Sequence, residues 1–175
     1  MSGETGDDIS PAAARQLVLI AAAMGGGLSL MAGLVSWSYL NAAAKTPSLV
    51  DVKLVNALTT VMMVLAAILI VASEFLWRFL LRRGKGALSS RVTAAYIARL
   101  GLREGAGLLS MTVAYLATLN GVLRAYPAYW ANLVPFVLFL GFLATHWPSA
   151  ERLISEVREA LGPAPRSFLK IALVE

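Results

Sequence analysis

Glu104 stands out among the residues that could do chemistry, because an apolar stretch of the chain follows it directly. No charged residue occurs from Gly105 to Leu123. A carboxylate at the edge of such a stretch is costly to bury and needs a cation, a proton or water as a partner. Three roles are open for Glu104: binding an ion, pairing with a charge on another helix, or serving a site of another kind.

Several other charged residues are expected near the same edge of the apolar region. They are Glu74, Arg78, Arg99 and Arg103, with His146 close to them. Opposite charges at such a depth can pair across helices, which offsets the free energy lost on desolvation. The pattern predicts an interfacial charge network, in which the pairing of Glu74 with Arg103 or Arg99 is favoured.

His146 is the single histidine and precedes Trp147 and Pro148 at the end of an apolar segment. One histidine there is typical of a hydrogen-bonding cap or anchor, while a haem or quinone site shared with another subunit stays open. The chain has no cysteine, which excludes disulfides and thiolate metal sites. No Ser-His-Asp set, phosphate loop or paired catalytic carboxylates occur. We therefore expect no catalytic residue, no metal site, no cofactor and no enzyme.

The composition favours a membrane protein. Of 175 residues, 58% are hydrophobic and 14% are charged, whereas a soluble domain carries roughly 25% charged residues. The formal net charge is +5, but the basic residues cluster beside apolar segments, as topology signals do. We expect the lipid bilayer and either further copies or other membrane subunits as partners, and no nucleic acid.

Charge-free windows predict an all-α integral membrane four-helix bundle. The predicted spans are 15–40, 54–82, 91–122 and 127–147. About 20 apolar residues are needed to cross the hydrocarbon core, and the windows lack the alternation of a membrane barrel.

The predicted bundle, 15–147, is flanked by two segments of different character. Residues 1–14 form a polar and acidic segment, which predicts no cleavable signal peptide. In 148–175 a cytoplasmic amphipathic helix and tail are expected. Leu153, Ile154, Val157 and Leu161 line one face of that helix, which favours docking on the inner interface or on a partner. The apolar stretch 168–174 is too short to span and is either a partner-binding tail or frayed.

The distribution of basic residues predicts the orientation of the chain across the membrane. Seven of them lie between residues 78 and 103, whereas the connection after the third span has only Arg124. The positive-inside rule then puts the middle loop in the cytoplasm. With four spans, both termini lie there too, and we expect a bacterial-type inner membrane.

Small residues predict close packing of helices. The glycines concerned are Gly25, Gly26, Gly27 and Gly33 in the first span and Gly101, Gly105 and Gly107 in the third. Small side chains let helix backbones approach each other in lipid. Both packing inside one bundle and packing between copies in an oligomer are consistent with this pattern.

The two glycine-bearing spans also align with each other. Gly25-Gly-Gly-Leu-Ser-Leu-Met31 matches Gly105-Ala-Gly-Leu-Leu-Ser-Met111 at a shift of 80, and 70–75 aligns loosely with 142–147. The chain is then either two copies of one helical hairpin or a coincidence in a Gly/Ala/Leu-rich alphabet.

The segment from Arg91 to Leu109, which follows a basic loop, resembles the second helix of the rotor-ring proteolipid (subunit c) of rotary ATP synthases. In that family a polar cytoplasmic loop precedes a helix that bears one ion-carrying Glu or Asp, and the four-span members look like doubled hairpins. Together with the basic loop before it, the resemblance covers about thirty residues, and it implies an ion-binding role for Glu104.

The sequence as a whole favours a non-catalytic integral membrane subunit that packs into a homo-oligomer or a larger complex. One alternative is an ion-translocating, proteolipid-like or channel protein that uses Glu104. A second alternative is the membrane anchor of a redox complex, with His146 at the shared site.

Overall fold

The structure is a computed structural model that describes residues 11–41 and 46–162. Every regular element in these ranges is helical, which confirms the all-α prediction for them. The elements are α1 (Pro11–Asn41), α2 (Leu49–Arg83), α3 (Leu88–Leu119), α4 (Val122–Ala125), a 3-10 helix (Pro127–Leu133), α5 (Val134–Thr145) and α6 (Ala150–Leu161). Most of the predicted polar segment and the apolar stretch 168–174 lie outside the described residues.

Three stretches of helix are long and apolar enough to cross a membrane. They are Ala12–Asn41, Leu49–Arg83 and Pro127–Thr145. The last of them joins the 3-10 helix to α5, which ends two residues before the boundary that the sequence predicts. These stretches correspond to the first, second and fourth predicted spans.

The third predicted span also exists as a helix, but α3 is not apolar enough to be counted with the other three. Its first 17 residues include Arg91, Arg99, Arg103 and Glu104. Helix α3 contacts α1, α2, α5 and the 3-10 helix, so protein covers much of its surface. A helix in that position can carry polar groups that a lipid-facing helix cannot.

The largest core lies between α1, α3 and α5 and continues towards α6 and the end of α2. Large side chains on the outer surface are apolar as well: Leu30 is 78% exposed, Leu40 74% and Phe75 71%. Apolar surface on this scale is unusual for a soluble monomer.

The helix ends follow local chemistry. At the start of α2 the Ser48 hydroxyl accepts a hydrogen bond from the Asp51 amide, and the Asp51 carboxylate accepts one from the Ser48 amide, both at 3.1 Å. This capping box satisfies two amides that the first turn leaves open. The connection to α3 turns at Gly86, whose φ of +102° is accessible mainly to glycine.

The glycines that the sequence singles out divide into two groups. A Cβ atom on Gly25 would lie 2.9 Å from Leu143 Cδ1, and one on Gly107 would lie 3.0 Å from Leu28 Cδ1. These two glycines therefore allow close approach of helices inside the chain. The others have nothing within 4 Å of such an atom: Gly26, Gly27, Gly33, Gly101 and Gly105.

Replacing Gly107 with valine should destabilise the fold. Leu28 is fully buried, so it has little room to yield, and overpacking of this kind costs about 1–3 kcal/mol. Gly27→Val is the matched control, because its side chain would enter open space. The free energy of unfolding, measured by denaturant titration in detergent micelles, should fall for Gly107→Val alone. Equal losses in both variants would contradict the packing of α3 against α1.

Candidate functional site: a buried ion cluster and its cavity

The Arg99 side chain forms the centre of an ion cluster that joins three helices. It projects from α3 and is only 8% exposed. Its Nε and Nη2 donate to the two carboxylate oxygens of Glu74 on α2, at 2.7 and 2.8 Å, and its Nη1 donates to Glu156 Oε2 on α6 at 2.7 Å. The paired bonds to Glu74 have the fork geometry that makes arginine–carboxylate contacts strong and directional.

Arg103 adds a second cation one turn along α3. Its Nη2 donates to Glu74 Oε1 at 2.6 Å, and its Nε donates to the Ser73 hydroxyl at 3.1 Å. The guanidinium carbon lies 4.1 Å from the centre of the Phe142 ring, and that of Arg99 lies 4.8 Å from it. A cation over an aromatic face is attracted by the ring quadrupole, so Phe142 ties α5 to the same cluster.

Helix α6 docks on the bundle through this cluster. Leu153, Val157 and Ala160 are buried, and Arg82 donates to the Ala160 carbonyl from Nε and Nη2 at 3.3 and 3.1 Å. Of the four apolar residues that the sequence assigns to a membrane interface or a partner, Leu153 and Val157 thus pack on the chain itself. Ile154 and Leu161 stay exposed.

Glu156 is the member of the cluster that sequence reasoning missed. The apolar face that the sequence predicts, Leu153, Ile154, Val157 and Leu161, does not include it. It lies between Leu153 and Ala160 on the docked face, three residues after one and four before the other. An acidic residue inside an apolar stripe was the available signal, because a carboxylate there needs a cation on the facing surface.

A polar cavity of about 260 Å³ lies beside the cluster, between α2, α3, the end of α5 and α6. Its lining residues are Glu74, Trp77, Arg78, Arg82, Arg99, His146, Glu156, Glu159 and Ala160. Two predicted network members, Arg78 and His146, therefore line the cavity without joining the ion pairs. Within the described ranges Arg78 has no hydrogen-bond or ion-pair partner.

His146 lies one residue beyond α5, at the cavity wall. Tyr96 donates its hydroxyl proton to the His146 carbonyl, and His146 Nδ1 lies 2.8 Å from the Thr145 hydroxyl. Burial lowers the pKa of the imidazole below its usual value, although the nearby Glu156 carboxylate acts in the opposite direction. The backbone and ring contacts of His146 are those of an anchor at a helix end.

Glu104 stands apart from the cluster. It is partly exposed on α3 and has no ion-pair or hydrogen-bond partner among the residues that the structure describes. The structure thus brings Glu74, Arg99 and Arg103 together and leaves Glu104 alone. In ranges 11–41 and 46–162 no group of three or more His, Asp or Glu side chains could hold a metal ion.

Comparison with known proteins adds no second source of evidence. No family model, no curated protein and no solved structure matches this chain. The resemblance of 91–109 to rotor-ring proteolipids therefore stays a prediction.

Neutralising Glu156 should loosen α6. In Glu156→Gln the buried Arg99 guanidinium loses one of its two carboxylate partners, and breaking a buried pair of this kind costs about 3–5 kcal/mol. Hydrogen–deuterium exchange of the α6 amides should become faster. Glu151→Gln, which removes an exposed charge from the same helix, is the control. Unchanged exchange in Glu156→Gln would mean that the apolar face alone holds α6.

Proposed function

We propose that this chain is a four-span membrane protein without a catalytic centre, which assembles with further copies of itself or with other membrane subunits. The proposal has two parts: the position of α3 in the bilayer, and the use of its uncovered side for assembly. The contacts of Arg99 support the first part, and the surroundings of Glu104 carry the second.

The ion cluster supports a common inner membrane boundary for α2 and α3. Residues Leu54 to Ser73 of α2 carry no charge, and these 20 residues span about 30 Å as a helix, the thickness of the hydrocarbon core. Because Glu74 is bonded to Arg99, these two residues of α2 and α3 lie at the same depth in the bilayer. The 20 residues that follow Arg99 end at Leu119, the last residue of α3, so α3 reaches the same outer level.

This depth of α3 relative to α2 explains why α3 is less apolar than the other long helices. Its first eleven residues, Leu88 to Ala98, would lie on the cytoplasmic side of the boundary and need not match lipid. Near the other end, Arg124 donates to the Tyr39 carbonyl at 2.6 Å, and Tyr126 and Trp130 follow closely. Aromatic and basic side chains of this kind are typical of a membrane interface.

One side of α3 is left uncovered by the chain. Gly101, Gly105, Leu108 and Thr112 follow one another at helical spacing on this side, which we call the open face. Nothing lies within 4 Å of a Cβ atom built on either glycine, and Leu108 and Thr112 are exposed. Small residues at such spacing allow close contact with another helix in lipid.

Glu104 borders the open face and is the observation that carries the proposal. It follows Arg99 by five residues, so it lies about 7.5 Å deeper along the helix. A carboxylate at that depth without a partner is costly. A neighbouring helix that covers the open face would remove Glu104 from lipid and supply a hydrogen-bond donor or a cation.

The same observation favours one alternative, an ion-translocating protein. A carboxylate with no fixed partner can take up a proton or a cation and release it again. In that case Glu104 would remain accessible to water or to the ion in the assembled protein.

Labelling of single cysteines should establish whether α3 spans. The chain has no cysteine of its own. Ser90 is exposed near the start of α3, and Ala128 is exposed in the 3-10 helix beyond the other end of α3. A membrane-impermeant thiol reagent applied to intact spheroplasts should label Ala128→Cys and spare Ser90→Cys, with the reverse in inverted vesicles. Labelling of both positions from the same side would contradict four spans.

Bulky residues on the open face should disrupt assembly. Gly101→Leu and Gly105→Leu add side chains where the chain itself has space, so the monomer should fold while the neighbour is displaced. Gly141→Leu on α5, which is equally open, is the control. Light scattering of the detergent-solubilised protein should give a smaller particle for the two α3 variants only. Monomeric wild-type protein would contradict the proposal.

Glu104→Gln separates assembly from ion transport in the same material. If the carboxylate serves assembly alone, proteoliposomes of the wild type and of the variant should show equal ion leakage. Proton or cation flux that is present in the wild type and lost in Glu104→Gln would favour the alternative instead.

A further inference from the structure

The cavity beneath α6 contains charged groups that the ion cluster does not use. Among the described residues, Arg78 and Glu159 have no hydrogen-bond or ion-pair partner, although both line the cavity. Arg82 bonds the Ala160 carbonyl through Nε and Nη2, which leaves the two protons of Nη1 free. The cavity therefore has both donors and acceptors to offer.

Glu156 adds an acceptor to this set. Its Oε2 is bonded to Arg99, but its Oε1 is buried and has no hydrogen-bond partner. Arg152 Nε lies 3.6 Å away from it, which is too far for a hydrogen bond. A buried carboxylate oxygen in that state favours the approach of a donor.

The remaining groups come from two helices. Arg78 and Arg82, four residues apart on α2, supply cations, which we call the basic wall, and Glu159 and the Oε1 atom of Glu156 on α6 supply acceptors, which we call the acidic wall. Arginine pairs matched in this way suit a phosphate group. Carboxylates suit a primary ammonium group, so a ligand with a phosphate and an ammonium a few bonds apart complements both walls.

An apolar track leads from the membrane to the basic wall. Val64, Val71 and Phe75 are exposed on α2, at spacings that put them on the same side of the helix as Arg78 and Arg82. An acyl chain that lies along this track would place its headgroup phosphate at the two arginines. The ligand class that this combination favours is therefore a phospholipid and not a free anion.

We infer that the cavity binds the headgroup of an inner-leaflet phosphatidylethanolamine. Its phosphate lies against Arg78 and Arg82, and its ammonium donates to Glu156 and Glu159. Phosphatidylcholine is disfavoured because its quaternary ammonium has no proton to donate. Phosphatidylglycerol is disfavoured because it brings no cation to the acidic wall. The inference rests on the membrane position proposed above.

Native mass spectrometry can test lipid preference directly. The full chain is reconstituted in liposomes of equal phosphatidylethanolamine, phosphatidylglycerol and phosphatidylcholine, checked for insertion by flotation, extracted in mild detergent and weighed with its retained lipid. The wild type should retain phosphatidylethanolamine above the other two. Arg78→Gln and Arg82→Gln should each lower that retention by roughly tenfold, the effect of one lost hydrogen bond to a charged group.

Two further variants provide a control and a test of the acidic wall. Arg83→Gln removes a neighbouring cation that lies over the Phe79 ring, outside the cavity, and should leave retention unchanged. Glu159→Gln should lower retention of phosphatidylethanolamine and leave that of phosphatidylglycerol unchanged, because only the ammonium loses an acceptor.

Several outcomes would overturn the inference. Equal retention of the three lipids would mean that the chain retains only non-specific annular lipid. Preference for phosphatidylglycerol would mean that the cavity binds a phosphate without a contribution from the acidic wall. Equal losses in Arg83→Gln and Arg78→Gln would show a general effect of charge. A chain that fails to float with the liposomes overturns the membrane position as well, whereas a floating chain without lipid preference overturns the headgroup site alone.

Discussion

The end of the structure where α2, α3 and α6 meet depends on one buried positive charge. The Arg99 guanidinium is shared between carboxylates of α2 and α6 and lies near two aromatic rings, those of Trp77 and Phe142. Removing a cation from water is costly, and the loss is offset only when its donors are satisfied in good geometry. Because those partners belong to different helices, the charge fixes how α2, α3 and α6 meet, while the apolar contacts of the core leave more freedom.

The sequence could indicate part of this arrangement. The pairing of Glu74 with Arg99 or Arg103 was predictable, because opposite charges at the ends of adjacent apolar helices fall at similar depths. Glu156 was not, because the pattern of α6 shows which residues share a face but not what that face meets. A hydropathy argument also treats each helix alone, so it could not tell that protein surrounds α3 on several sides.

Helix α3 therefore combines two environments along its length. Around Arg99 its polar groups are matched by other helices, and a few residues further on Glu104 and the open face have no matching surface in the chain. Prediction from small residues gave the correct kind of contact at Gly25 and Gly107. It could not separate them from Gly101 and Gly105, because a glycine looks the same in a sequence whether its neighbour is in the same chain or in another.

The 3-10 helix before α5 has a consequence for the length of that apolar segment. As a regular α-helix, the 19 residues Pro127–Thr145 would extend about 28 Å, slightly less than a typical hydrocarbon core. A 3-10 helix rises about 2.0 Å per residue, so its seven residues lengthen the segment to roughly 32 Å. In a bilayer, a segment of that length would match the hydrocarbon core without thinning of the surrounding lipid.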